Sequence, residues 1–251
     1  METIIAIFVL ILGLVFGSFF NVVGLRVPIK ESILTPSSHC RNCQRRLTIV
    51  DLVPVLSYII LKGKCRNCST KISPVYLLTE LATGSLFAFA FWKIGIDSEL
   101  VAAFFFISLL IIIVVSDFAY MLIPDKILLF FLPFLLAGRI LSPLDPWWDS
   151  LLGAFISFGI LLLIAILSKG GIGGGDIKLF FLIGLVLGTL NSLLTLFIAS
   201  VIGMIFGVTT LKARGKGTKT PVPFGPAIAL AAVIVYFYGD SILEWYSKVV
   251  I

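Results

Sequence analysis

The chain has 251 residues, of which 59% are hydrophobic and only 13% charged, and its mean hydropathy is strongly positive. That balance excludes a soluble globular enzyme and a disordered chain, and it identifies a polytopic membrane protein. The net charge of +6 sits in loops between apolar runs. It reads as a topology signal and an affinity for anionic headgroups, not as a nucleic-acid footprint.

A crossing takes about 20 apolar residues. In chain order that ruler predicts spans at 3–24, 75–93, 99–117, 127–141, 149–167, 178–190, 192–211 and 226–245, about eight transmembrane helices in an all-α polytopic fold. The first run, Thr3 to Leu25, is too long for a signal peptide, lacks a basic leading region and has no small-residue cleavage site, so residues 1–24 are expected to be a retained helix. A polar insertion, 25–74, follows it, and 75–251 forms the helical membrane domain. The division near 190 requires "GTLNSLL" to be a tight turn. Gly and Pro inside several runs are compatible with spanning, because neighbouring helices satisfy the freed backbone groups. No internal repeat is expected.

Segments 25–74, 117–126, 168–178 and 211–220 hold 9, 1, 2 and 4 of the 19 Lys and Arg residues, leaving only Lys93, Arg139 and Lys248 for the opposite side. By the positive-inside rule these four segments are cytoplasmic and the N-terminus is outside. Asp97, Glu99, Asp145 and Asp149 fall in the opposite loops, where Trp147 and Trp148 are placed as interfacial anchors.

All four cysteines lie in the insertion, as Cys40-x2-Cys43 and Cys65-x2-Cys68 with 21 residues between the pairs. This is zinc-ribbon spacing: thiolates are soft ligands, and two close pairs close a tetrahedral four-sulfur shell. Arg41, Arg45, Lys64 and Arg66 are expected to help keep sulfur deprotonated. Disulfides are disfavoured by the cytoplasmic placement. His39, the single histidine, neighbours a filled shell and supports no Ser/His/Asp triad.

Ionisable residues near the membrane each need a reason. Asp117 ends "FFFISLLIIIVVSD", where a carboxylate can simply reach the interface. Asp125 follows Pro124 and precedes "KILLFFL", the pattern of a helix N-cap. Asp176 closes "GIGGGD", with Lys178 two residues on; an N-cap has no need of such glycine density, which lets a chain unwind and approach another backbone closely. Both Asp117 and Asp176 fall at cytoplasmic helix ends and can therefore meet. Two carboxylates sharing one proton supply a general base and a general acid for peptide hydrolysis without a metal. On the residues alone, an aspartyl protease, a zinc-containing proton-coupled transporter and a non-enzymatic assembly scaffold all stay open.

The segments "GSFFNVVGLRVP" (17–28), "SHCRNC" (38–43), "DLVPVLSYIILKGKCRNC" (51–68), "ISPVYLLTELATG" (72–84), "SDFAYMLIPD" (116–125) and "GGGDIKLF" (173–180) together resemble the type IV prepilin peptidases, also called leader peptidase/N-methyltransferases, of the GxGD intramembrane aspartyl protease group. The compact N-terminus and "FFLPFLLAGRILSPLDPW" are most similar to the competence-type enzymes of Gram-positive bacteria. The resemblance implies a multi-pass protein of the bacterial inner (cell) membrane that removes the short basic leader of prepilins or pseudopilins at the cytoplasmic face. N-methylation of the new terminus from S-adenosylmethionine would follow, and the activity would support pilus or pseudopilus assembly in competence or secretion. It carries the catalytic roles onto Asp117 and Asp176, and it places methyl transfer at the cysteine-bearing loop and its flanks, here Gly63, Glu80, Asn21 and Arg26. "SPVYLL" departs from the family pattern in lacking the basic residue before Tyr76 and the proline after it.

Overall fold

The computed structural model describes residues 2–214 and 223–250, and among them it contains helices and turns but no strand. The helices are α1 (Glu2–Arg26), α2 (Leu56–Ile60), α3 (Pro74–Ile94), α4 (Ser98–Tyr120), α5 (Asp125–Leu141), α6 (Asp149–Leu167), α7 (Gly174–Arg214) and α8 (Gly225–Val250). Six of them are long and apolar enough to cross a membrane. Helix α5, with 17 residues and Pro133 inside it, falls just short of that length, and α7 is long enough for two crossings. These account for the eight expected spans. Residues 215–220 of the basic segment 211–220 lie outside the described residues.

Local sequence sets several boundaries. Ser73 caps α3 by accepting the Val75 N–H, Pro74 occupies the first helical position, and Gly95 at φ 78° ends the helix with its N–H on the Phe91 carbonyl. The expected "GTLNSLL" turn contracts to one residue. Gly188, at φ 77° and ψ −175°, interrupts α7 in a conformation essentially reserved for glycine, and helix resumes at once. Asp149 supplies the cap that the resuming helix needs, its carboxylate accepting from the Thr189 N–H at 3.1 Å and the Thr189 hydroxyl at 2.6 Å. A residue 40 positions away therefore does the work that the sequence reading assigned to a local turn.

The chain forms two compact units, residues 1–115 and 116–251. In the first, α1 and α3 pack through small residues: a Cβ on Gly13 would lie 2.8 Å from Gly84 Cα, and one on Gly17 would lie 2.8 Å from Glu80 Cα. In lipid, apolar side chains gain little by leaving their surroundings, so close backbone approach takes over as the source of association. In the second, α6 and α7 use the same device at Gly153 and Gly184, and the Ser157 hydroxyl bonds that of Ser192 at 2.7 Å within the seam.

A Cβ on Gly153 would stand 2.5 Å from the Gly184 oxygen and 2.5 Å from the Gly188 carbonyl carbon, both backbone atoms that cannot swing aside, whereas Gly159 on the same helix faces open space. Gly153→Ala is therefore expected to destabilise the second unit by about 1–3 kcal/mol and Gly159→Ala to leave it unchanged or slightly firmer. Thermal unfolding of the two variants in one detergent checks the contrast; equal midpoints would remove the seam from the account.

Candidate functional site

Asp117 occupies the last turn of α4 and is buried, 6% exposed. Its Oδ2 accepts the backbone N–H of Gly225, the first residue of α8, at 2.7 Å. A Cβ on Gly225 would reach 2.8 Å from that same oxygen, so glycine is what lets the α8 start close on the carboxylate. Asp176 lies in the first turn of α7, half-buried, with its N–H on the Gly173 carbonyl. The two carboxylates are close enough to interact electrostatically. Both acids expected from sequence thus lie in the second unit.

The unwinding expected across "GIGGG" is confined to the residues before Gly174, where α7 begins. The three glycines before Asp176 are not equivalent. A Cβ on Gly173 would stand 3.0 Å from Asp176 Oδ2, one on Gly175 would stand 2.7 Å from Ile123 Cβ, and one on Gly174 would meet nothing within 4 Å. Of the three, Gly175 is pressed hardest, Gly173 meets only the movable end of the Asp176 side chain, and Gly174 is open. The 121–125 connector that presents Ile123 is itself tied to Asp117: the Met121 N–H donates to the Asp117 carbonyl at 2.8 Å, and the Ser116 hydroxyl donates to the Leu122 carbonyl.

Asp125 differs from the sequence reading. It is the first residue of α5 rather than its N-cap, Pro124 occupies the cap position, and no side-chain capping bond forms. The carboxylate instead pairs with Lys178 Nζ at 2.7 and 2.8 Å, exposed on both sides. Proline offers no N–H and Asp125 finds an ammonium across the site, so an ion pair replaces the cap.

In the first unit the four cysteines converge. Cys40 and Cys68 Sγ are 3.7 Å apart, Cys43 and Cys65 Sγ 3.9 Å, and all four sulfurs lie within 4.8 Å of one another, a set able to hold a metal ion. "CRNC" occurs twice and folds the same way twice. In each knuckle the first cysteine donates its N–H five residues ahead and accepts from the residue four ahead, Gln44 in one and Ser69 in the other, both with positive φ. This local repeat was not among the sequence expectations. The Thr70 hydroxyl beside Cys68 holds its thiol down at about 5, and the Cys68 and Asn67 amides lower Cys65.

Asp51 locks the knuckles together. Its buried carboxylate accepts from the Thr48 N–H and hydroxyl, from Arg45 beyond the first knuckle at 3.1 Å, and from Arg66 inside the second at 2.9 Å. Arg45 and Arg66 thus serve this carboxylate before any sulfur. These contacts, the Thr48 amide foremost, hold Asp51 below the usual carboxylate range. Its contribution is accordingly present above about pH 4 and lost as pH falls through that lowered value. The sequence signal was available: one acid between two arginine-bearing cysteine pairs. Gly225 left less trace, being 108 residues from the side chain it serves.

The four residues expected at methyl transfer separate into two groups. Asn21, fully buried, donates to the Gly17 and Tyr76 carbonyls, and its Oδ1 is without a partner; Glu80 accepts the Val55 N–H at 2.7 Å, and both line the α1–α3 seam. Arg26 instead ties the following loop down through the Ser32 and Pro36 carbonyls. Gly63, at φ 65°, turns beneath the Tyr58 ring and bonds Tyr58 and Ile72. Beside it opens a cavity of about 430 Å³ lined by Lys62, Lys64, Lys71 and Pro74.

Comparison with known proteins gives one consistent result. Residues 11–94 match the bacterial peptidase A24 N-terminal domain and residues 104–208 the type IV leader peptidase family. A prepilin leader peptidase/N-methyltransferase of Bacillus subtilis (strain 168) is 47% identical over 238 residues, 95% of this chain and 96% of the relative. Proteins of the same name from Legionella pneumophila and Aeromonas salmonicida (strain A449) are 32% and 30% identical, covering 87% and 97% of this chain and 78% and 94% of their own lengths. No solved structure matches the chain significantly.

Since Gly174 has open space and Gly175 is pressed against the branched Ile123, Gly174→Ala is expected to be neutral or slightly stabilising, while Gly175→Ala costs about 1–3 kcal/mol. Unfolding midpoints of both variants in one detergent provide the comparison. A more disruptive Gly174→Ala would contradict the assigned packing.

Proposed function

This chain belongs to the type IV leader peptidase family, and from that membership we propose that it is an intramembrane aspartyl endopeptidase that removes the leader of type IV prepilins or pseudopilins at the cytoplasmic face of the inner membrane. The observation that carries the reading is the approach of Asp117 and Asp176, each set by its own glycine, at the end of α4 and the start of α7. A water held between the carboxyls gives its proton to the charged one as its oxygen adds to the peptide carbonyl. The protonated one then delivers its proton to the departing amine, leaving a leader carboxylate and a free N-terminus. The apparent pKa values would belong to the pair. The Gly225 N–H keeps Asp117 oriented throughout, and Asp125 with Lys178 braces the α5 and α7 starts from outside.

Methylation of the new N-terminus follows from the relatives' name, with S-adenosylmethionine as the source of an electrophilic methyl. The Asn21 Oδ1 and the Glu80 carboxylate are the acceptors in this chain that suit a donor bearing amino and hydroxyl groups. Arg26 and Gly63 support the loop around it. For the cysteines we propose zinc: 2.3 Å bonds in a tetrahedron give sulfur–sulfur edges of about 3.8 Å, which two of the six edges, 3.7 and 3.9 Å, meet, with all four sulfurs within 4.8 Å. A closed four-cysteine shell is structural. The compact N-terminus and "FFLPFLLAGRILSPLDPW" support a competence-type substrate by resemblance.

Mass spectrometry of a co-expressed prepilin reads leader loss and the added methyl in one measurement. Asp117→Asn and Asp176→Asn should each reduce cleavage by roughly a hundredfold or more at unchanged protein level, and the double variant should be no worse than either alone. Asp125→Asn removes only an exposed ion pair and should keep cleaving. Cleavage surviving Asp117→Asn would dismiss the proposed pair.

Metal analysis under reducing conditions is expected to give one zinc per chain, lost on Cys40→Ser or Cys65→Ser with loosening of 39–72, while the membrane helices persist. Asp51→Asn should keep zinc but speed amide exchange in both knuckles, since ionic hydrogen bonds worth on the order of 1–3 kcal/mol are weakened. Zinc-free protein, or exchange raised in one knuckle alone, would be the contrary result.

A further inference from the structure

The insertion between α1 and α3 contains a stretch, "IVDLVPVLSYII", residues 49–60, whose apolar side chains neither the metal nor the proposed chemistry uses. Its large apolar side chains are turned outward. Ile49 is 86% exposed, Val50 62%, Leu56 58%, Ile59 60% and Ile60 73%. On α2, Leu56, Ile59 and Ile60 stand at i, i+3 and i+4 and so share one face. Tyr58 points elsewhere, with its ring over Gly63 and its hydroxyl on the Ile72 carbonyl. An apolar face of this kind requires a covering.

Three observations identify the covering as lipid. First, the stretch is fastened to a membrane-spanning helix at its middle: the Val55 N–H donates to Glu80 Oε2 at 2.7 Å, and Glu80 lies six residues into α3, about 9 Å along the helix axis. The apolar face is therefore kept at membrane depth rather than held away in water. Second, the outer face carries no negative charge. Asp51, the single acid between Arg45 and Lys64, is turned inward with its side chain 4% exposed. Third, exposed cations, Arg46 before the stretch and Lys62 after it, bracket the apolar face. Apolar side chains between basic flanks form the pattern of a segment lying in the headgroup layer.

We propose that residues 49–60 are an interfacial anchor. Ile49, Val50, Leu56, Ile59 and Ile60 insert at the acyl boundary of the leaflet, Arg46 and Lys62 meet anionic headgroups, and Glu80 and Asp51 fix the segment's depth and rotation from the protein side. The cysteine module then rests on the bilayer at three places, the ends of α1 and α3 and this segment. The inference is independent of the aspartate chemistry and holds whether or not the chain cuts a peptide.

The test uses full-length protein in nanodiscs of phosphatidylcholine and phosphatidylglycerol, with p-benzoylphenylalanine replacing Ile59 or, as a control, the exposed Arg41 of the first knuckle. Irradiation should give lipid adducts at 59 and none at 41, and the yield at 59 should fall severalfold when phosphatidylglycerol is omitted. Retained zinc shows that each variant is folded. Should either variant lose its metal, the unsubstituted chain serves: amides 56–60 should exchange severalfold more slowly in the anionic nanodiscs than in phosphatidylcholine alone. Adducts to a second copy of the chain, adducts only to an added prepilin, absence of lipid adducts at 59, or exchange indifferent to the lipid would each overturn the anchor.

Discussion

Two carboxylates brought near each other in a protein interior repel and lose hydration together, and the second unit sets a helix start against each. Asp117 meets the first amide of α8, and Asp176 stands within the first turn of α7, so each acid lies where a helix presents unsatisfied N–H groups and partial positive charge. Glycine is the condition for both approaches. At Gly225 a methyl group would fill the space that Asp117 Oδ2 occupies, and at Gly175 it would enter Ile123. The acids, the helix starts and the glycines form one construction, and removing any of them leaves the others without purpose.

The same economy appears in the first unit with different materials. The insertion buries few large apolar side chains, with Cys65 the only residue of segment 39–72 among the buried hydrophobic core, and a small module without a core needs a cross-link. Sulfur at metal-binding distance supplies one and the Asp51 carboxylate another. The two act at different levels: the cysteines close each knuckle on a common centre, whereas Asp51 bridges Arg45 and Arg66 and so fixes how the knuckles face each other. In the proposed arrangement the apolar side chains that a soluble module would turn inward are turned toward lipid instead.

Most of the helices were legible because the bilayer imposes a length that composition alone satisfies: six of the eight expected spans match one helix each, and the other two are the halves of α7, whose division moved only to Gly188. The cysteine cluster was legible for a related reason, since ligand spacing is local. What sequence reading missed depends on partners far along the chain. Asp125 has the local pattern of a cap but finds Lys178, 53 residues away; Asp149 looks like a loop acid but caps Thr189; Arg45 and Arg66 look like thiolate neighbours but serve Asp51. Asp125 and Asp149 took partners 53 and 40 residues away, whereas Arg45 and Arg66 took a carboxylate only 6 and 15 residues away in preference to sulfur. Gly174, by contrast, was grouped with its neighbours although Gly175 is the one pressed against a branched side chain and Gly173 lies against the Asp176 carboxylate.

The two kinds of stabilisation also predict how the units fail. Helices that insert by hydrophobicity keep their backbone bonds in lipid whether or not they are packed, so a lost seam leaves inserted but separated helices. The cysteine module has no such fallback, because its knuckles are held by sulfur and by one carboxylate in place of a core. Glu80 joins these regimes: a buried acid on a spanning helix, it accepts a backbone amide from the middle of the insertion. Loosening the module would free that amide and leave the Glu80 carboxylate with Ser18 but without its backbone donor, which is costly for a buried acid. The order of the insertion is in this way coupled to the state of a buried side chain on α3, through the Val55–Glu80 hydrogen bond.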